Sequence, residues 1–595
     1  MSKQILRSEV PLEETWRLED IFPTKEDWEK ELKEVENLIG TVAVFKGRLG
    51  EGPKVLLECL EAQENLLIRL AKVAAYGSLH LSSDGTNPQY QEMAGRVSAL
   101  STKIGAEMSF IRSEALSLPN GTLNRYLEEE PGLEPFRIMI EKMIESKPHR
   151  LHPETEASLA ALGEVLSAPG TIYETSRTAD MSFEPVADSK GNLFPMSMGR
   201  YETAADIVLR RNAYSETTRV LKQYQNTYGA TWGTEVKKNV TMANLRRYES
   251  AIHMLLDRQE VTIDIYNNLH DIILTELAPH MRKYARLRKD ILKLDKMLYC
   301  DIEAPLDPEF DPKTTWEEAS EMIINGLSVL GPEYTEIMKE ALSNRWIDRA
   351  DNAGKRTGSF CSSVYGVHPY ISTRWHNNLR EVLTIAHELG HAGQGVLSQR
   401  YQRYGNTRPT MFFIEAPSTI NEALVGNYIL SQTTDKRTRR WILMEFLKSY
   451  HHNFVRHLIE GELQRRAYPL AEKGKPITAN VLNKLQGEIL EDFWGEEVII
   501  DEGAQLVWMR QSHYYRGLYP YTYSAGLTIG TQVAQAIQKE GAPAAERWVE
   551  VLKLGGTKKP LELAQLAGVD MTSPEPIRSA VEYVGSLIDE LIELF

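Results

Sequence analysis

Apolar positions recur every three to four residues through most of the chain. Over residues 28–39, Leu32, Val35 and Leu38 fall at helical spacing with charged residues between them, the pattern of a helix with one face to a core. Residues 56–76, 248–277 and 281–299 read the same way and are predicted as helices. Glycine and proline sit mostly between these runs, at Gly50-Glu51-Gly52-Pro53, Pro119-Asn120-Gly121 and Lys473-Gly474-Lys475-Pro476, which predicts loops there. Strand signals are scarce. Residues 181–186 and 193–198 flank the turn-rich Asp188-Ser189-Lys190-Gly191-Asn192 and predict a β-hairpin, which Pro185 and Pro195 confine to an edge. A second strand-like stretch runs Gly358-Ser359-Phe360-Cys361-Ser362-Ser363-Val364, followed by His368-Pro369-Tyr370-Ile371-Ser372-Thr373. The expected fold is therefore mostly α with a small β-sheet. No internal repeat, low-complexity tract or flexible linker interrupts it, so its regions are expected to pack together. The expected division is an N-terminal helical region, 1–185, and a second, larger helical region, 186–595.

A length of 595 residues exceeds what one simple core usually holds. The formal net charge is -15, from 83 acidic and 68 basic residues. Phosphate binding needs a basic surface, so nucleic acid is not the expected partner; the acidity reads as solubility. Cys59, Cys300 and Cys361 are far apart and odd in number, which suggests neither a disulfide framework nor a cysteine-based zinc site. The N-terminus, Met1-Ser2-Lys3-Gln4-Ile5-Leu6-Arg7-Ser8-Glu9, is charged from the start and lacks the apolar core of a signal peptide. No apolar run approaches a membrane span. The expectation is a cytoplasmic protein with no membrane partner.

One segment changes the picture from composition to chemistry. Residues 377–399 read as a single helix with Leu379, Val382, Leu383, Ala386, Leu389 and Val396 at its apolar positions. Within it stands His387-Glu388-Leu389-Gly390-His391. Residues four apart share a helix face, so His387 and His391 can bind one metal ion through their imidazole nitrogens. Glu388 is placed to act as general base toward the attacking water. Gly390, Gly393 and Gly395 each cost roughly 1 kcal/mol against alanine in a helix, which implies that other backbone or substrate comes close there. A catalytic zinc needs a third protein ligand and one open position. Glu415 stands downstream in the apolar run Met411-Phe412-Phe413-Ile414-Glu415-Ala416-Pro417-Ser418, where a carboxylate is costly unless paired or metal-bound. With Pro417 in a first helical turn, Glu415 is the expected third ligand. Glu422, seven residues on and on the same face, is either an acceptor that orients a zinc histidine or an ordinary helix glutamate. Near the C-terminus, residues 511–524 gather His513 with Tyr514, Tyr515, Tyr519, Tyr521 and Tyr523. Peptide hydrolysis passes through an oxyanion that needs hydrogen-bond donors. A tyrosine hydroxyl stays protonated at neutral pH and can donate, although such clusters also serve packing.

Together these segments resemble the oligoendopeptidase F branch of the thimet-oligopeptidase family of zinc peptidases. The match rests on His387-Glu388-Leu389-Gly390-His391, on Glu415-Ala416-Pro417-Ser418 and on the tyrosine-rich stretch after His513. Softer similarity includes Thr15-Trp16-Arg17-Leu18-Glu19-Asp20-Ile21-Phe22-Pro23, Asp295-Lys296-Met297-Leu298-Tyr299-Cys300-Asp301 and Gly354-Lys355-Arg356-Thr357-Gly358. The resemblance implies a closed bowl or clam of helices with one zinc ion at the bottom of a deep channel. It implies cleavage of internal bonds in short unstructured peptides. It assigns Gly358, Ser359, Phe360 and Cys361 to an edge strand that pairs with substrate backbone, consistent with peptide addition to a sheet edge. It points to His513 and Tyr523 as the best matches for the oxyanion donors, and leaves the choice among Tyr519, Tyr521 and Tyr523 open; Tyr521 is the expected helper and Tyr519 is expected to contact substrate. The same ligands also accept cobalt or manganese. Two alternatives stay in view. An end-trimming zinc peptidase would use Arg356, Arg374 or Arg380 to hold a chain terminus, and a non-catalytic relative would bind peptides only.

Overall fold

Helices carry the periodicity through both halves of the chain. The computed structural model describes residues 5–595, so the first four residues of the charged N-terminus lie outside the described residues, as do the side chains at 153 and 157. Helices hold 71% of the residues and strands 3%, so the protein is mostly α, as the spacing of its apolar residues implies.

Two large hydrophobic cores are present among the described residues. The first is built by the helices Lys25–Ala43, Pro53–Ser83 and Pro88–Ser117 with the shorter helices that follow. Trp28, Val35, Leu66 and Val73 are fully buried in it, each aliphatic side chain contributing about 1.5–3 kcal/mol by leaving water. The Trp28 indole N–H donates to the Val73 carbonyl at 3.0 Å, which answers the polar end of an otherwise apolar side chain. The second core extends from Tyr173 to Leu591 and contains the histidine motif.

Predicted helices 28–39 and 56–76 lie inside the observed Lys25–Ala43 and Pro53–Ser83. The run 248–277 is not one helix. It divides into Ala251–Asp257 and Ile263–Ile272, the latter continuing as a π-helical turn to Leu277. Glu260 between them adopts φ +59°, a left-handed conformation that ends a helix. Likewise 281–299 closes early, at Ile291, with Lys293 left-handed at φ +53°. Apolar spacing continues through both breaks and cannot signal them.

The predicted hairpin exists in miniature. β1 (Val186–Ala187) pairs antiparallel with β2 (Leu193–Phe194) across the Asp188 turn. Pro185 and Pro195 bracket it and, lacking N–H groups, they stop the ladder. The sheet near the motif has three strands, β3 (Ile347–Asp348), β4 (Phe360–Ser362) and β5 (Tyr370–Ser372), in the order β3-β5-β4. β4 is antiparallel to β5, with Cys361 opposite Ile371. The N-terminal segment is tied to this sheet. Arg7 pairs with Asp348, whose other oxygen accepts from the buried Lys355 ammonium at 2.6 Å. The Trp16 ring lies 6.3 Å from both Phe360 and Tyr370. Among the described residues, no helix is long and apolar enough to cross a membrane.

Candidate active site

The motif helix spans Leu379–Tyr401, with the Asn378 side chain accepting from the Glu381 N–H at 3.1 Å as its cap. Its apolar face, with Val382, Ile385, Ala386 and Leu389, is fully buried. A second helix, Ala416–Gln432, starts at Glu415, and a third, Pro520–Glu540, packs against that one. The glycines explain how three helices converge. A Cβ on Gly390 would stand 2.6 Å from Ser418 Cα, and one on Gly526 would stand 2.7 Å from Glu415 Cβ. Gly393 and Gly395 likewise make room for Tyr334 and Ser363. The helix-weakening glycines thus admit neighbouring chain, as their cost implied.

This convergence brings His387, His391 and Glu415 into one cluster, their ligand atoms all within 4.8 Å of one another. Glu415 Oε2 lies 3.5 Å from His387 Nε2 and 3.4 Å from His391 Nε2. Two ligands each about 2.0–2.1 Å from a tetrahedral ion lie about 3.3 Å apart, so the donor set and its spacing fit zinc. Glu422 Oε2 lies 3.4 Å from His387 Nδ1, on the side where a carboxylate fixes the ring's orientation and leaves Nε2 free for a metal. Burial disfavours charge on Glu415, but hydrogen bonds to the two histidines override it and hold the carboxyl well below the usual range. His387 is the counterpart: burial opposes its protonation, and Glu415 and Glu422 raise its pKa well above the ordinary value. Both shifts describe a site whose carboxylate is held ionised among imidazoles.

Glu388 is 6% exposed. Burial raises its carboxyl above the usual range, against the pull of His387 and His391. β4 runs beside it. Burial, reinforced by the Glu388 charge, pushes the Cys361 thiol well above its ordinary pKa. Gly358 forms a left-handed turn, φ +81°, just before the strand, and the Ser359 hydroxyl lies 3.1 Å from that of Thr373. The predicted strand residues thus divide: Phe360 and Cys361 belong to β4, whereas Gly358 and Ser359 lead into it.

The tyrosines separate by helix face. Tyr519 sits at the start of Pro520–Glu540, and Tyr523, Gly526 and Gly530 follow at helical spacing on its face, the two glycines meeting Glu415 and Thr419. His513 lies against this face, its ring 4.6 Å from that of Tyr519 and 5.6 Å from that of Tyr523. Burial keeps the Tyr523 hydroxyl protonated and lowers the His513 pKa to about 4, so its imidazole is neutral. Tyr521, two residues from each tyrosine, points elsewhere. It is fully buried, and its hydroxyl donates to Gln259 Oε1 at 2.6 Å. Residues two apart on a helix face about 200° apart, so Tyr521 points away from the face that Tyr519 and Tyr523 share. His457, which no sequence motif marks, stacks its ring on Tyr523 with centroids 4.2 Å apart. The signal in the sequence is His451, His452 and His457 close together in one helical stretch.

The profile described as Peptidase family M3 matches residues 201–583, and that described as Oligopeptidase F matches residues 114–183. Oligopeptidase PepF of Bacillus subtilis is 33% identical over 99% of this chain and 88% of its own length. Group B oligopeptidase PepB of Streptococcus agalactiae is 29% identical over 99% and 98%. Among solved structures, oligoendopeptidase-F from Enterococcus faecium superimposes with a TM-score of 0.75 at 25% identity, covering 96% of this chain and 99% of that one.

Proposed function

Because this chain belongs to peptidase family M3, in its oligoendopeptidase F branch, and is a metallo-oligopeptidase, we propose that it is a zinc-dependent endopeptidase cutting internal bonds of short unstructured peptides. The observation that carries this reading is the spacing of His387, His391 and Glu415, with the buried Glu388 next to it in the same helix. His387, His391 and Glu415 would hold the ion. Zinc, when bound, supplies Lewis-acid polarisation of water and of the scissile carbonyl. Glu388 takes the proton from the attacking water and delivers it to the leaving amine. The Tyr523 hydroxyl and the neutral His513 imidazole donate hydrogen bonds to the developing oxyanion. β4 pairs with the substrate backbone and holds the chain extended past Glu388. Glu422 keeps His387 in the ring orientation that ligation needs.

Trimming from the C-terminus needs a free cation to hold the terminal carboxylate. Arg374 is paired with Asp351 and Arg380 with Glu445, each at 2.9 Å, and Arg356 lies over the Phe360 ring. The two ion pairs count against Arg374 and Arg380 as holders of a terminal carboxylate. The test is metal analysis of the purified protein, together with mass spectrometry of the products from one short peptide blocked at both ends. One equivalent of zinc is expected, with chelator-sensitive cleavage at an internal bond. Cleavage only of unblocked peptides, one or two residues from an end, would overturn the endopeptidase reading.

A further inference from the structure

Behind His513 and Tyr523 lies a chain of hydrogen bonds that no role described above uses. It starts where the helix Lys436–Tyr450 passes into His457–Glu472 through one π-helical turn, His451–Arg456. In an α-helix, residues five apart point about 140° from each other. The π turn brings such residues back into register, and here it sets His452 Nε2 3.1 Å from His457 Nε2. His457 Nδ1 lies 2.8 Å from Glu460 Oε2. A carboxylate only accepts, so Nδ1 carries the hydrogen, and one hydrogen is shared between the two facing Nε2 atoms. The Gln511 amide donates to the same Glu460 oxygen, and Gln511 Oε1 accepts from the His513 backbone N–H at 3.0 Å. Arg456 approaches the other Glu460 oxygen at 3.9 Å. His457 and Glu460 are both buried, at 5% and 8% exposure. A buried network with its polar groups answered is rigid and costly to rearrange. Its two outputs are the His513 backbone and the flat face of His457, which lies within 15° of parallel to the Tyr523 ring.

We propose that His457 and Glu460 are positioning residues for peptide hydrolysis. His457 fixes the plane of Tyr523, and Glu460, acting through Gln511, fixes His513, so that both donors converge on one point before substrate arrives. This rests on the reading of His513 and Tyr523 as oxyanion donors. Its physical basis is that donors stabilise a transition state only when held in place beforehand, and a displacement of about 1 Å forfeits most of the effect.

The experiment measures kcat, KM, melting temperature and zinc content on one fixed peptide. His457→Phe keeps a ring beneath Tyr523 but cuts the bonds to His452 and Glu460. Glu460→Gln keeps an acceptor for His457, and Glu460→Ala removes it. His457→Phe and Glu460→Ala are expected to lower kcat about tenfold with KM and zinc content unchanged, and Glu460→Gln to recover most of that loss. Repeating His457→Phe in a Tyr523→Phe background separates positioning from general support. If His457 acts through Tyr523, most of its effect disappears there, since effects of coupled neighbours do not add. An equal loss in both backgrounds, or a loss confined to KM, overturns the proposal while leaving the oxyanion reading intact. A Tyr523→Phe enzyme with unchanged kcat overturns both. Should Glu460→Ala fail to fold, the two conservative variants carry the comparison.

Discussion

Glu388 is where a single atom exchange should separate metal binding from turnover. Its carboxyl is buried beside two histidines, and burial makes it a stronger proton acceptor than a carboxylate in water. Glu388→Gln preserves shape and leaves His387, His391 and Glu415 untouched. The variant is expected to retain its zinc while kcat falls on the order of 10²–10⁴-fold, read from metal content and turnover on the same preparation. Normal turnover would sink the mechanism. At this scale the sequence was most informative where geometry is local. His387 and His391 are one helical turn apart, so their spacing allows them to share one metal ion. Glu415 stood out as a carboxylate in an apolar run. The grouping of the tyrosines was also partly readable: Tyr519 and Tyr523 are four apart and Tyr521 is out of phase. The support from His457, Glu460 and Gln511 was not, because it runs through space between segments about fifty residues apart and depends on a π turn that no apolar period announces.

Among the elements, the crossing of the motif helix with Ala416–Gln432 sets the spacing of His387, His391 and Glu415, and Gly390 sets that crossing. Alanine there gains roughly 1 kcal/mol in helix propensity, but its methyl meets the backbone at Pro417 and Ser418. Overpacking of this kind costs about 1–3 kcal/mol, and here it also pushes Glu415 away from the two histidines. Gly390→Ala is therefore expected to lower the melting temperature and to lose zinc during dialysis that leaves the parent protein full. An equally stable, fully loaded variant would show that the helices separate freely. The need for close approach could be inferred from three glycines in one helix; which neighbour approaches could not. The breaks at Glu260 and Lys293 were hidden for a related reason, because a left-handed residue is imposed by packing on either side and leaves the hydrophobic period intact.

For the whole molecule, several histidines are buried in the neutral state. Burial lowers His80, His270 and His513 to about 4 and His452 to about 3. The unfolded chain takes up these protons near pH 6.5, so between about 6.5 and 4 it binds more protons than the folded protein. Stability is then fully present above 6.5 and is lost as pH falls toward 4. His376 and His387 act in the opposite direction, since Glu381 and Asp351 outweigh burial at the first and Glu415 and Glu422 outweigh it at the second, but they are two groups against four. Denaturant unfolding at pH 7 and pH 5 is expected to show a lower midpoint at pH 5, and an unchanged midpoint would mean that these rings are hydrated in solution. One further consequence belongs to β4, which holds the outer place in its sheet. A strand edge offers every incoming chain the same sequence of donors and acceptors, whatever side chains that chain carries. Recognition at such an edge reads shape before spelling. It is indifferent to most residues, meets only every second side chain, and stumbles at proline, which has no hydrogen to give. A peptide already folded upon itself has spent those groups elsewhere, so its own structure is what shields it.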